Sequence, residues 1–203
     1  MNSAISLSNR QSPPATAAMA LPSYRELVIV ILVGVASALL GPLLGRALRG
    51  WSSIPTLGSI AVALPRALVL LVMLRRVSHF GALTAAAVAE IGAKLFLGLG
   101  GLAPMFIAAP LVAGLAGDLI WTGLGRVAPG RVRLMLTGAG LCAARVLAAL
   151  ILWSLLGPAL SKAANCPASW AAGIVAINAG LGLTAGFLAS GRKKSRIDDQ
   201  DNG

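Results

Sequence analysis

Six polar side chains interrupt long apolar runs in this sequence: Arg66, Glu90, Lys94, Asp118, Arg145 and Asn178. A charge in hydrocarbon costs at least about 2.5–3.5 kcal/mol on insertion scales, so such a residue faces a bundle interior, an oppositely charged side chain or a solute. Glu90 and Lys94 are four residues apart, the spacing of an i,i+4 pair on a helix. Lys94 can alternatively snorkel to headgroups. Asn178 adds a neutral donor and acceptor, which in lipid serves either helix packing or a ligand.

The elements that must position these groups are apolar helices. Of the 203 residues, 57% are hydrophobic and 11% charged, with a mean hydropathy of +0.85. Soluble domains carry about 25% charged residues. Runs of roughly 20 apolar residues recur, each long enough to cross a bilayer as a helix. They lack the alternation of a β-barrel. The expected fold is an all-α polytopic bundle of six transmembrane helices, near 26–48, 54–74, 80–98, 102–125, 132–156 and 169–190. Residues 1–22 read as a disordered tail, 23–191 as the membrane domain and 192–203 as a charged tail.

The net charge of +11 does not indicate nucleic acid, because the cations cluster at segment ends. Placing the N-terminus in the cytoplasm puts eleven of them inside: Arg10, Arg25, Arg75, Arg76, Arg126, Arg131, Arg133, Arg192, Lys193, Lys194 and Arg196. Three fall outside: Arg46, Arg49 and Lys162. The positive-inside rule therefore predicts that both termini are cytoplasmic. Trp51, Trp153 and Trp170 then fall near the outer interface and Trp121 near the inner one. The basic C-terminal tail suits a stop-transfer anchor or contact with anionic membrane lipid.

This topology converts sequence offset into depth at about 1.5 Å per residue. Glu90 and Arg145 come out roughly 16 and 20 Å from the inner face, a matched depth for pairing across spans three and five. Arg66 and Asp118 come out roughly 18 and 24 Å from the outer face, which predicts a structural ion pair across spans two and four. Pro65 directly precedes Arg66, where a bend would open a cavity. Gly34 and Ala38 form a small-residue stripe in span one, as do Gly182 and Gly186 in span six. Such stripes pack helices within a chain or dock a partner helix.

Several chemistries are not expected. His79 is the single histidine and sits at a predicted edge, which leaves a Ser–His hydrolase without a base in the bundle. The intramembrane acids are single and far apart, and no His/Cys cluster or P-loop pattern is present, so neither a metal nor another cofactor is expected. The reading is of a non-enzyme. Cys142 and Cys166 are expected to be free thiols.

From Leu64 to Trp121 the order of features resembles the substrate-binding S components of energy-coupling factor transporters, of the thiamine or hydroxymethylpyrimidine type. The resemblance is carried by Pro65, by the basic turn Arg75-Arg76 leading to Gly81, by Glu90 and by Gly98-Leu99-Gly100-Gly101. It ends in Gly114-Leu115-Ala116-Gly117-Asp118-Leu119-Ile120-Trp121. The family's Ala-xxx-Ala motif of span one has its nearest match in Gly34-xxx-Ala38. The resemblance implies a bacterial inner-membrane subunit that captures a vitamin-like small-molecule solute from outside. A coupling transmembrane subunit and ATPase subunits would then drive uptake. On this reading Glu90, Arg145, Asn178 and Lys94 bind the solute: Glu90 contacts a cationic or hydrogen-bonding group, Arg145 orients Glu90 or binds an anionic group, and Asn178 adds a polar contact. The alternative is a non-transporting membrane scaffold or assembly subunit in which the buried charges are structural pairs.

Overall fold

The computed structural model describes residues 23–49, 55–77, 79–99, 104–160 and 168–191. Six helices form: α1 (Tyr24–Arg49), α2 (Pro55–Arg76), α3 (Ala82–Phe96), α4 (Pro104–Gly123), α5 (Gly130–Leu160) and α6 (Ala168–Ser190). A 3-10 turn, Leu124–Arg126, follows α4, and no strand occurs among the described residues. The expected tails, Trp51, Gly100, Gly101, Lys162 and Cys166 lie outside the described residues, as do the side chains of Arg46, Arg49, Arg126 and Trp153.

Four helices contain stretches long and apolar enough to cross a membrane: Tyr24–Leu44, Phe106–Gly123, Gly130–Leu152 and Trp170–Ser190. They point to a membrane protein. The distribution of side chains agrees. Leu32, Leu43, Leu119 and Leu155 are exposed, whereas Ser37, Arg66, Glu90, Asp118, Thr137 and Asn178 are buried. A water-soluble domain sorts these types the other way.

The helices close into a circuit. α1 packs on α3, α3 on α4, α4 on α5, α5 on α6, α6 on α2 and α2 on α1. α2 also touches α5 and α3, which makes it the central helix. Its Ala67, Leu71 and Leu74 are wholly buried and anchor the apolar core. Close approach depends on missing side chains. Gly138 of α5 and Gly182 of α6 lie backbone to backbone, where a Cβ on either would strike the other's carbonyl. Without a hydrophobic drive between helices in lipid, such tight dispersion contacts carry the association.

α3 has only 15 residues, about 22 Å of helix, and glycines define both its ends. Gly81 precedes it with φ +89°, and Gly98 follows it with φ +64°. Leu99 N–H donates to the Lys94 carbonyl at 2.8 Å and Gly98 N–H to the Leu95 carbonyl at 3.3 Å, closing a Schellman-type end. α2 runs as one helix through Pro65. Trp121 is buried, with the Arg133 guanidinium 3.5 Å from its ring centroid and Arg133 Nε donating to its carbonyl at 2.6 Å. A cation stacked on the indole gives the ring a polar neighbour within the fold.

Candidate functional site

Four helices converge on one carboxylate. Glu90 of α3 is buried, and its Oε1 accepts from three cations. Arg66 of α2 donates through Nη2, Lys94 of α3 through Nζ at 2.5 Å, and Arg145 of α5 through Nη2 at 2.9 Å. Arg145 Nη1 lies 3.5 Å from Oε2, so its fork spans both oxygens. Arg66 Nη2 donates to the Ser37 carbonyl of α1 at 2.9 Å as well, which brings in the fourth helix.

Local sequence accounts for each placement. Lys94 reaches Glu90 because residues four apart share a helix face. α1 approaches α3 at this level because Gly34 has no side chain. A Cβ there would stand 2.5 Å from Ala89 Cβ and 2.6 Å from the Ala86 carbonyl oxygen. Part of the stripe read in span one is therefore used within the chain, with Gly34 and Ala38 both buried. The span-six stripe is used likewise, since Gly182 and Gly186 meet α5.

The expected ion pair between Arg66 and Asp118 is replaced by two separate arrangements. Asp118, fully buried, caps α3. Its Oδ1 accepts from Leu83 N–H at 3.2 Å, and its Oδ2 from Thr84 N–H at 2.9 Å and Thr84 Oγ1 at 2.7 Å. The first-turn N–H groups of α3, which have no intrahelical acceptor, and its positive dipole end supply what a guanidinium is expected to supply. Arg66, with its side chain only 9% exposed, goes to Glu90 instead.

Asn178 is buried, and its Nδ2 donates to the Ile174 carbonyl one turn back at 2.9 Å. Among the described residues it makes no bond to the Glu90 cluster. Ser37 is a member that sequence reasoning missed. It participates through a main-chain carbonyl, for which side-chain type carries no signal. Its own Oγ is buried without a partner, as is Arg66 Nε.

A small crevice adjoins the cluster. It is lined by Glu90 and Arg145 together with Leu70, Leu83, Ala113 and Leu141, and its volume is about 10 Å³, the lower limit for one water molecule. Arg145 is the most open of the three cations, at 21% side-chain exposure. Among the described residues no three His, Cys, Asp or Glu side chains gather as a metal site, and Cys142 is a buried free thiol. The arrangement therefore offers hydrogen bonding and charge. His79 stands apart at the α2–α3 turn, its Nε2 3.4 Å from Glu26 Oε1.

Comparison with protein-family models, curated proteins and solved structures finds no match to this chain.

Proposed function

We propose that this chain is a solute-binding membrane subunit of a transporter. The reading includes six spans, both termini on the cytoplasmic side of a bacterial inner membrane, and the Glu90 cluster as the binding centre. The observation that supports it is the gathering of three cations from three helices on one carboxylate beside a crevice. A carboxylate that only fastens two helices needs one cation. A second and third cation, each removed from water, add desolvation cost without adding a second anion.

The order of Pro65, Arg75-Arg76, Gly81, Glu90 and the Gly114–Trp121 segment supports the further reading as an S component. Its partners would be a coupling transmembrane subunit and ATPases. The burial of Gly34 and Ala38 bears on how those partners dock, because a motif spent on α3 leaves the coupling subunit to another surface.

Ligand pockets for vitamin-sized molecules occupy about 300–1,000 Å³. Capture therefore requires the helices around the crevice to part. The small crevice favours a second reading, a membrane scaffold locked by the cluster.

The deciding experiment purifies the full chain from membranes of its host and identifies small molecules in the extract by mass spectrometry. The transport reading expects one compound near stoichiometric amount, lost in Arg145→Gln protein that elutes at the same volume. Absence of any such compound, together with destabilisation by Glu90→Gln that Arg145→Gln partly rescues in the double variant, would establish the scaffold.

A further inference from the structure

Three cations against one carboxylate leave the cluster at +2. Among the described residues no other carboxylate lies within ion-pair distance of Arg66, Lys94 or Arg145. Asp118, the other buried acid, has both oxygens turned to the N-terminus of α3. The excess sits in a bundle whose outer surface is apolar, where counter-ions in bulk solution screen weakly. Two buried polar groups at the same place also lack partners: Arg66 Nε, a donor, and Ser37 Oγ.

Resting on the solute-binding reading above, we propose that the cluster receives an oxyanion, the carboxylate or phosphate group of its ligand. Glu90 is not the ligand's contact. Its Oε1 is filled by the protein's own cations, which takes the place of the solute contact expected of Glu90. Glu90 instead holds the cations together and aims them. Arg145 lines the crevice, and the N–H groups of its guanidinium that Glu90 does not take remain to donate to a carboxylate or phosphate, while Lys94, held on the same Glu90 oxygen, adds a point charge. The crevice admits one oxygen-sized group as it stands, so the oxyanion enters first and the rest of the ligand follows as the apolar wall of Ala113 and Leu141 yields.

The same chemistry can come from a free solute or from a lipid phosphate, and one experiment separates them. Full-length protein is unfolded thermally in a neutral detergent at constant ionic strength, with tryptophan fluorescence as the readout. Sodium phosphate, sodium acetate and tetramethylammonium chloride are titrated against sodium chloride. In parallel, nanodiscs of phosphatidylcholine are compared with and without phosphatidylglycerol. The expected result is a saturable rise in Tm with phosphate or acetate over chloride. The apparent affinity falls at least tenfold in Arg145→Gln, and Lys94→Gln provides the check should Arg145→Gln not fold. A rise confined to phosphatidylglycerol nanodiscs, and lost in the same variants, assigns the anion to lipid and overturns the solute source. A rise with tetramethylammonium alone overturns the oxyanion while leaving solute binding intact. No response in any arm overturns both.

Discussion

Arg66 Nη2 donates to Glu90 Oε1 and to the Ser37 carbonyl at once, so one buried guanidinium joins α2, α3 and α1. Removing Glu90 leaves this cation and two others without their shared acceptor. Breaking a buried ion pair from one side costs about 3–5 kcal/mol, because the remaining charge is uncompensated. Glu90→Gln should therefore lower stability by about that amount. Adding Arg145→Gln should recover part of the loss by removing one unpaired cation. Thermal unfolding in detergent of the wild type, both single variants and the double variant measures the coupling, and independent, additive effects would contradict the shared-acceptor arrangement.

Asp118 yields a different signature, because it faces backbone donors. Asp118→Leu strands Leu83 N–H and Thr84 N–H, and an orphaned buried donor costs about 1–3 kcal/mol. The expected loss is at least about 2 kcal/mol. Asp118→Asn keeps an acceptor oxygen and should lose less. Hydrogen exchange should accelerate at Leu83 and Thr84 in the Leu variant, while the Glu90 cluster keeps its cations. Protection unchanged at those two amides would rule out the cap.

Gly34 and Gly41 make a matched pair on α1. A Cβ at Gly34 runs into Ala89 and the Ala86 carbonyl, whereas nothing lies within 4 Å of a Cβ at Gly41. Overpacking of this kind costs about 1–3 kcal/mol. Gly34→Ala should lower Tm, and Gly41→Ala should leave it level or raise it through helix propensity. Equal effects at the two positions would mean that α1 does not meet α3 through Gly34.

The contrast between Arg66 and Glu90 shows what was readable and what was not. Helix positions follow from the apolar runs, and each observed helix lies within a few residues of its expected span. The Glu90–Arg145 and Glu90–Lys94 pairs follow from depth and i,i+4 spacing. Depth measured from the outer face for Arg66 and from the inner face for Glu90 accumulates boundary error across a whole span. Counted from the turn they share, Arg66 is ten residues before the end of α2 and Glu90 eight after the start of α3. Those offsets are roughly 15 and 12 Å, close enough for a long guanidinium to bridge. The role of Asp118 was hidden for another reason. A helix N-terminus is a partner with no side-chain signature, and only the tertiary packing of α4 on α3 brings it to the carboxylate.

The six-span reading is tested most sharply at α3, the shortest of the helices. Its 15 residues cover about 22 Å, less than the ~30 Å hydrocarbon core. It can still separate the two aqueous sides if its ends are satisfied within the protein. The Asp118 cap at one end and the Gly98 Schellman turn at the other do this for the backbone groups. Phe80 and Leu97 flank the helix, both exposed, and provide labelling positions. In a chain whose own cysteines are replaced by serine, Leu97→Cys should react with a membrane-impermeant maleimide in intact cells. Phe80→Cys should react only after the membrane is opened. Labelling of both from the same side would make α3 a re-entrant or surface helix, and would remove the outward access that solute capture through the Glu90 crevice requires.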